Sequence, residues 1–185
     1  MTDPLNLLSA LPGLLIFRIG AKEFCMDVKY VQTILNVAGN EGNIRKVERA
    51  TGIQGKIGHS DAEYFIIDTI KYFDTAPEKA KGKKIILCIV FGKRIGIIVD
   101  TIVEFISLDT LFIEKNIDFN VYQEDKYVSW YLDYQERKVL YPNYEMIAKE
   151  LTSSGFFLSM PILSAAYYLM SLLMNYYNMI PISTL

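Results

Sequence analysis

Chemistry in this chain would have to start from His59, the one histidine among its 185 residues. Ser60 and Asp61 follow it directly and Glu63 lies close by, so the residue types for proton transfer or metal binding are present. A second imidazole or a thiolate at ligand spacing is missing, however, and a lone histidine in a polar turn does not make a metal site. The two cysteines, Cys25 and Cys88, each sit inside an apolar run, the pattern of core thiols rather than of a disulfide. No serine stands in a nucleophile-elbow context, and no glycine loop follows a strand and opens a helix to cradle a phosphate. Gly52, Gly55 and Gly58 recur at every third position, which suits the corners of a β-barrel better than a phosphate loop. The tyrosines between 122 and 144 fall at strand spacing and read as core. The expectation is no catalytic residue, no metal and no cofactor. Such a chain offers surfaces, and surfaces point to a binding module.

Charge narrows the partners. A formal net charge of -2 gives no electrostatic case for nucleic acid. The first residues carry no basic start before their short apolar run, which argues against a signal peptide.

The elements that must position any binding residue are clearest at 85–108. Two runs dense in Ile and Val flank Gly92-Lys93, the signal of a tight hairpin in which glycine supplies positive φ. Both runs are almost wholly apolar, so both faces should be covered, as in the wall of a small barrel. Gly96, inside the second strand, suggests a bend or a close backbone approach. Residues 16–20 and 24–34 repeat the pattern around a short polar turn. Laid over each other, Phe24 falls on Ile95, Cys25 on Gly96, Val28 on Val99, Val31 on Ile102 and Ile34 on Phe105. One β unit is used twice.

Around these hairpins, 36–43 is loop chemistry, 44–50 alternates weakly, and 53–57 and 64–68 are strands joined by the turn at 59–61. The charged stretch 74–84 divides the repeats, 109–126 is mixed and irregular, and 127–132 and 137–141 form a last strand pair. Asn143 is placed to cap a short helix. Residues 1–13 read as an arm. After Glu150 no charged residue follows, and 155–174 is long and apolar enough for a membrane span. A helix packed on the barrels and an aberrant tail without a native role are the other readings of 151–185. Tyr176 and Tyr177 just past the run favour a span; Ser159, Ser164, Ser171 and Pro161 count against it.

The stretch 15–20 followed by 24–31 resembles the start of the CheW-like domain, the chemotaxis coupling module. Residues 55–68, ending Ile66-Ile67-Asp68, are similar to the next block of that family. Gly92 with Gly96-Ile97-Ile98-Val99-Asp100 is similar to its second hairpin, and 128–140 to its last. The resemblance spans about 14–150. It implies a mainly β fold of two SH3-like five-stranded β-barrels with a short helix, here followed by a hydrophobic tail. It also implies an adaptor in the cytoplasm, binding the regulatory domain of a CheA-type histidine kinase and the cytoplasmic tip of chemoreceptors. Val31, Gly55, Ile85 and Gly96 occupy positions that the family associates with partner surfaces. Two positions depart from it. Gly58-His59-Ser60-Asp61 stands where the family usually has Asn-Leu-Arg-Gly, and Thr33 where it usually has an acid. Loss of both together suits the removal of a paired couple, since stranding either charge in a partly buried site costs more. Thr33 and Ser60 thus join the candidate partner-binding residues. The alternative is a diverged CheW-like scaffold module held at a membrane through its tail, without kinase coupling.

Overall fold

The computed structural model describes residues 13–47, 52–78, 82–107 and 118–153. The chain runs as β1 (Gly13–Ile19), β2 (Lys22–Asp27), β3 (Val31–Asn36), β4 (Ile44–Lys46), β5 (Ile53–His59) and β6 (Ala62–Ile67), then helix α1 (Thr69–Phe73). It continues as β7 (Lys84–Val90), β8 (Lys93–Val99), β9 (Thr101–Ser107), β10 (Asp118–Val121), β11 (Val128–Tyr134) and β12 (Arg137–Pro142), then helix α2 (Tyr144–Ser153). Two six-stranded sheets result, in the orders β10-β11-β12-β2-β1-β9 and β3-β7-β8-β6-β5-β4.

Mainly β structure in two sheets agrees with the sequence, but each sheet holds six strands where five were expected. The additional strands are β4, in the weakly alternating stretch, and β10, in the stretch expected to be irregular. Both are short and lie at the far edge of their sheet, where little apolar alternation is needed.

The apolar run 24–34 is not one strand. β2 stops at Asp27, and a 3-10 turn over Val28–Tyr30 carries the chain from the first sheet to the second. Asp27 is fully buried, and its Oδ1 accepts a hydrogen bond of 2.9 Å from the Lys29 amide. Lys29 Nζ lies 2.7 Å from Oδ2, an ion pair that balances the buried charge. The return crossing follows β8 at Asp100, whose Oδ2 accepts from the Gly20 amide at 2.6 Å while its own amide donates to Arg18 O at 2.8 Å. β3 therefore pairs with β7 in the second sheet, and β9 with β1 in the first. The division at 74–84 separates the sequence repeats but not the sheets.

Local signals explain the rest. The β7–β8 hairpin turns on Phe91 and Gly92, with φ of 47° and 75°, one residue before the expected Gly92-Lys93. Asp68 caps α1 by accepting from the Ile70 and Lys71 amides. Asn143 caps α2, its Oδ1 accepting from the Met146 amide at 3.1 Å, as its position predicted. A large core that includes Phe17, Phe24, Phe73, Ile86, Cys88 and Ile95 joins strands of both sheets, with the Phe24 and Phe73 rings 4.9 Å apart. A smaller core of Ile57, Tyr64, Ile66, Ile85 and Leu87 belongs to the second sheet alone. Among the described residues no helix is long and apolar enough to cross a membrane. The run 155–174 and residues 1–12 of the expected arm lie outside the described residues.

Glu150, near the end of α2, ties the two helices together. Its Oε2 lies 3.0 Å from Lys71 Nζ of α1, and its Oε1 accepts from Lys126 Nζ at 2.9 Å and from the Tyr127 hydroxyl at 2.8 Å. Partial burial works to raise the Glu150 carboxyl, but the hydrogen bonds from Lys126, Lys71 and Tyr127 outweigh it and pull it down to about 2. A depressed carboxylate contributes stability that is present above its unfolded value and lost as pH falls through the folded one. Urea unfolding of Glu150→Gln should show a loss at pH 7 of about 1 kcal/mol or less, since the group is largely solvent-screened. The difference from the parent should shrink between pH 5 and pH 2. A difference that persists unchanged at pH 2 would rule out the charge as its source.

Candidate partner-binding surface

Cross-strand neighbours share a face of a sheet, and the register of the second sheet gathers three of the six candidate residues in one row. Thr33 of β3 is opposite Leu87 of β7, which is opposite Gly96 of β8. Gly96 pairs with Ile66 of β6, and Ile66 with Gly55 of β5. Ile85, two residues from Leu87 on the same strand, points to the same side. The row thus crosses five strands from Thr33 to Gly55.

Most of that row is interior. Ile66, Ile85 and Leu87 have no exposed surface and belong to the smaller core. Gly55 and Gly96 are buried, while Val31 and Thr33 are half-buried on the edge strand β3. Ser60 is set apart. It is exposed at the β5–β6 turn, with φ of 46°, next to Asp61 at 60°. The row is therefore mostly buried and ends on the edge strand β3, and Ser60 stands outside it.

The two glycines differ in what they allow. A Cβ on Gly96 would stand 3.3 Å from Leu87 Cδ2 and 3.4 Å from both Ile66 Cγ1 and Ile85 Cγ2. These are side chains, so the backbone approach expected at Gly96 is instead a packing limit. The backbone approach occurs at Gly55, where a Cβ would stand 2.8 Å from the Arg45 carbonyl oxygen. A register shift between Ile53 and Gly55 bends β5 at that point.

The side chains exposed beside this row were not singled out by sequence. Ile34 of β3 is 38% exposed, and Phe91 at the β7–β8 turn is 54% exposed. The Phe91 ring centroid is 6.2 Å from that of Tyr30, in the crossing turn. Phe91 adopts a left-handed conformation that asparagine or glycine accepts more readily. The sequence signal was available: a phenylalanine immediately before Gly92 at a hairpin tip. Ile34 was hidden because its place in the repeat suggested core.

A charged counterpart sits in the first sheet. Glu104 of β9 occupies the position that Thr33 holds in β3, and it is hydrogen-bonded by Arg137, which also lies 3.2 Å from Glu23. An acid–arginine couple is thus present in the second repeat, while the first has Thr33.

The cysteines behave as core. Burial pushes both thiols well above their ordinary range, and Cys88 Sγ lies 3.5 Å from the Ile95 carbonyl oxygen. Among the described residues no three His, Cys, Asp or Glu side chains gather to hold a metal ion, and His59 ends β5 beside the Ser60 turn.

Crossed β hairpins, two six-stranded sheets and short capped helices define a two-sheet β module. The family described as CheW-like domain matches residues 13–151, and the chain belongs to that family. No curated protein matches the sequence. Among solved structures the fold is similar to the scaffolding protein TtCheW from Thermoanaerobacter tengcongensis, with a TM-score of 0.58 and 18% identity. That similarity covers 72% of this chain and 84% of the other.

Gly96→Val should lower the unfolding free energy by about 1–3 kcal/mol, because the added Cβ already meets three packed side chains and carries two methyl groups beyond it. Gly96→Ala should cost less. Chemical denaturation of both variants provides the check. A valine variant as stable as the parent would show that Leu87, Ile66 and Ile85 yield freely.

Proposed function

We propose that the protein is a chemotaxis signal-transduction adaptor that couples chemoreceptors to a CheA-type histidine kinase by binding, without chemistry of its own. The observation that carries this reading is the CheW-like match across 13–151, which includes nearly every described residue. The two-sheet fold shared with a scaffolding protein supports it. The surface we assign to partners runs along β3 and the β7–β8 tip. There Val31, Thr33, Ile34 and Phe91 meet the partner, while Ile85, Gly96 and Gly55 hold the sheet that carries them. An adaptor of this kind acts through differential affinity: it favours the kinase state that it binds better, and a coupling of about 1–3 kcal/mol shifts the balance roughly 5- to 150-fold.

Calorimetry with the regulatory domain of the cognate kinase and with the cytoplasmic tip of a cognate receptor tests the reading. Binding tighter than about 100 μM, near -5.5 kcal/mol, is expected for each. No binding of either at that concentration overturns it. Phe91→Asn should separate folding from binding. Asparagine suits the left-handed turn position, so stability should stay level or rise by up to about 1 kcal/mol. Affinity for at least one partner should fall about tenfold or more, as for loss of an aromatic anchor. Unchanged affinity for both would remove Phe91 from the surface.

A further inference from the structure

A strand at the edge of a sheet offers unpaired amides and carbonyls to any chain that can add a strand, and proteins blunt such edges with charge, proline or brevity. Two sheets give four edges, and three of them are blunted. β4 has three residues, two of them Arg45 and Lys46. β10 has four and includes Asp118. β9 carries Glu104 in its middle, hydrogen-bonded by Arg137. β3 differs. Its six residues, Val31-Gln32-Thr33-Ile34-Leu35-Asn36, hold no charge and no proline, and its one ladder among the described residues is with β7.

The phase of that ladder decides which groups are offered. The Val37 amide donates to Lys83 O at 2.9 Å, continuing the register in which Leu35 faces Ile85 and Thr33 faces Leu87. Hydrogen-bonded and non-bonded pairs alternate along an antiparallel ladder. Thr33 and Leu35 therefore bond to β7, while the amides and carbonyls of Ile34 and Asn36 point the other way. The Asn36 carbonyl oxygen accordingly accepts from Asn40 Nδ2 at 2.8 Å. Side chains alternate in step: Gln32, Ile34 and Asn36 are exposed, and Val31, Thr33 and Leu35 are half-buried.

This pattern is complementary to itself. Two copies of β3 run antiparallel about a twofold axis at Ile34 would set Ile34 against Ile34, each amide donating to the other's carbonyl. Gln32 then stands opposite Asn36 of the second copy, and residues directly opposite share a face of the sheet. Exposed side chains meet exposed ones, with the apolar pair on the axis and a carboxamide pair on either side. Asn36 Oδ1 accepts from Lys84 Nζ, which leaves Nδ2 to donate to Gln32 of the second copy. No charge in either strand opposes the contact.

We infer that β3 pairs with β3 of a second copy of this chain, joining the second sheets of the two edge to edge in a twofold dimer. Six residues a side fall short of the roughly 20–30 of a standard interface, so the association is weak. Pairing covers the edge that the adaptor reading gives to partners, and on that reading dimer and adaptor complex exclude each other. The dimer itself requires no partner, and its failure would leave the adaptor reading standing.

Sedimentation velocity of the full chain tests the pairing. The mass should rise from one chain toward two between about 10 μM and about 1 mM, the range of a weak complex. Ile34→Lys and Ile34→Glu, at an exposed position, should each stay monomeric, because like charges then face each other on the axis. Mixed in equal amounts the two variants should associate again, since lysine meets glutamate. A monomeric parent, association that survives in both variants, or variants that do not recombine would overturn the inference. Hydrogen exchange of the unmodified chain gives a readout free of any substitution. Over the same concentration range, exchange at the Ile34 and Asn36 amides should slow about twofold or more, while Thr33 and Leu35 stay unchanged. Equal protection of Ile34 and Asn36 at both ends of the range would overturn it equally.

Discussion

The exchange of β3 and β9 between the sheets is the constraint on which the rest of the structure depends. A hairpin followed by a third strand would ordinarily continue into the same sheet. Here the third strand of each repeat leaves for the other sheet, and a buried or part-buried aspartate holds each crossing in place. Asp27 accepts the Lys29 amide and pairs with the Lys29 ammonium, so its charge is not stranded. Asp100 fastens the second crossing to the turn of the first hairpin. Each removes a donor that would otherwise be left unpaired, and an unpaired buried polar group costs on the order of 1–3 kcal/mol.

That constraint bears on an adaptor's task. Packed side chains and rigid elements are one route by which coupling travels between two sites. Four β ladders run between the two repeats, and the Glu150 cluster joins α1 to α2. The row from Thr33 to Gly55 then has a clear part. Its buried members, Ile85, Leu87, Gly96 and Ile66, form the interior of the second sheet, and the edge strand β3 and the β7–β8 tip are what it leaves exposed.

Much of this was legible in the sequence for physical reasons. The overlay of Phe24 on Ile95 succeeded because the repeats keep the same register and both positions are buried, so both need apolar side chains; Ile34 and Phe105 share a register too, but both are exposed. Asn143 was legible because a helix cap is a local interaction. The crossing at Val28–Tyr30 was not, since Val28 and Val31 continue the apolar run and the local mark of the strand's end is one hydrogen bond, from the Lys29 amide to Asp27 Oδ1. β10 escaped because a four-residue edge strand leaves almost no periodic signal. Gly96 was given the wrong reason, because a glycine inside a strand looks the same whether backbone or side chains crowd it. The candidate site followed from family likeness rather than from pattern, and pattern alone would have left Ile85 and Gly96 as core, where the structure places them. The Glu104–Arg137 couple depends on a contact between distant strands, which no local window contains.

Amide chemical shifts of the full chain, followed as the cognate kinase regulatory domain is added, test the central claim most directly. The account predicts that changes concentrate on Val31 to Leu35 and on the tip around Phe91, with smaller ones along Ile85, Leu87 and Gly96 beneath. Changes confined to the far edge of the first sheet, around β10 and β11, would contradict it.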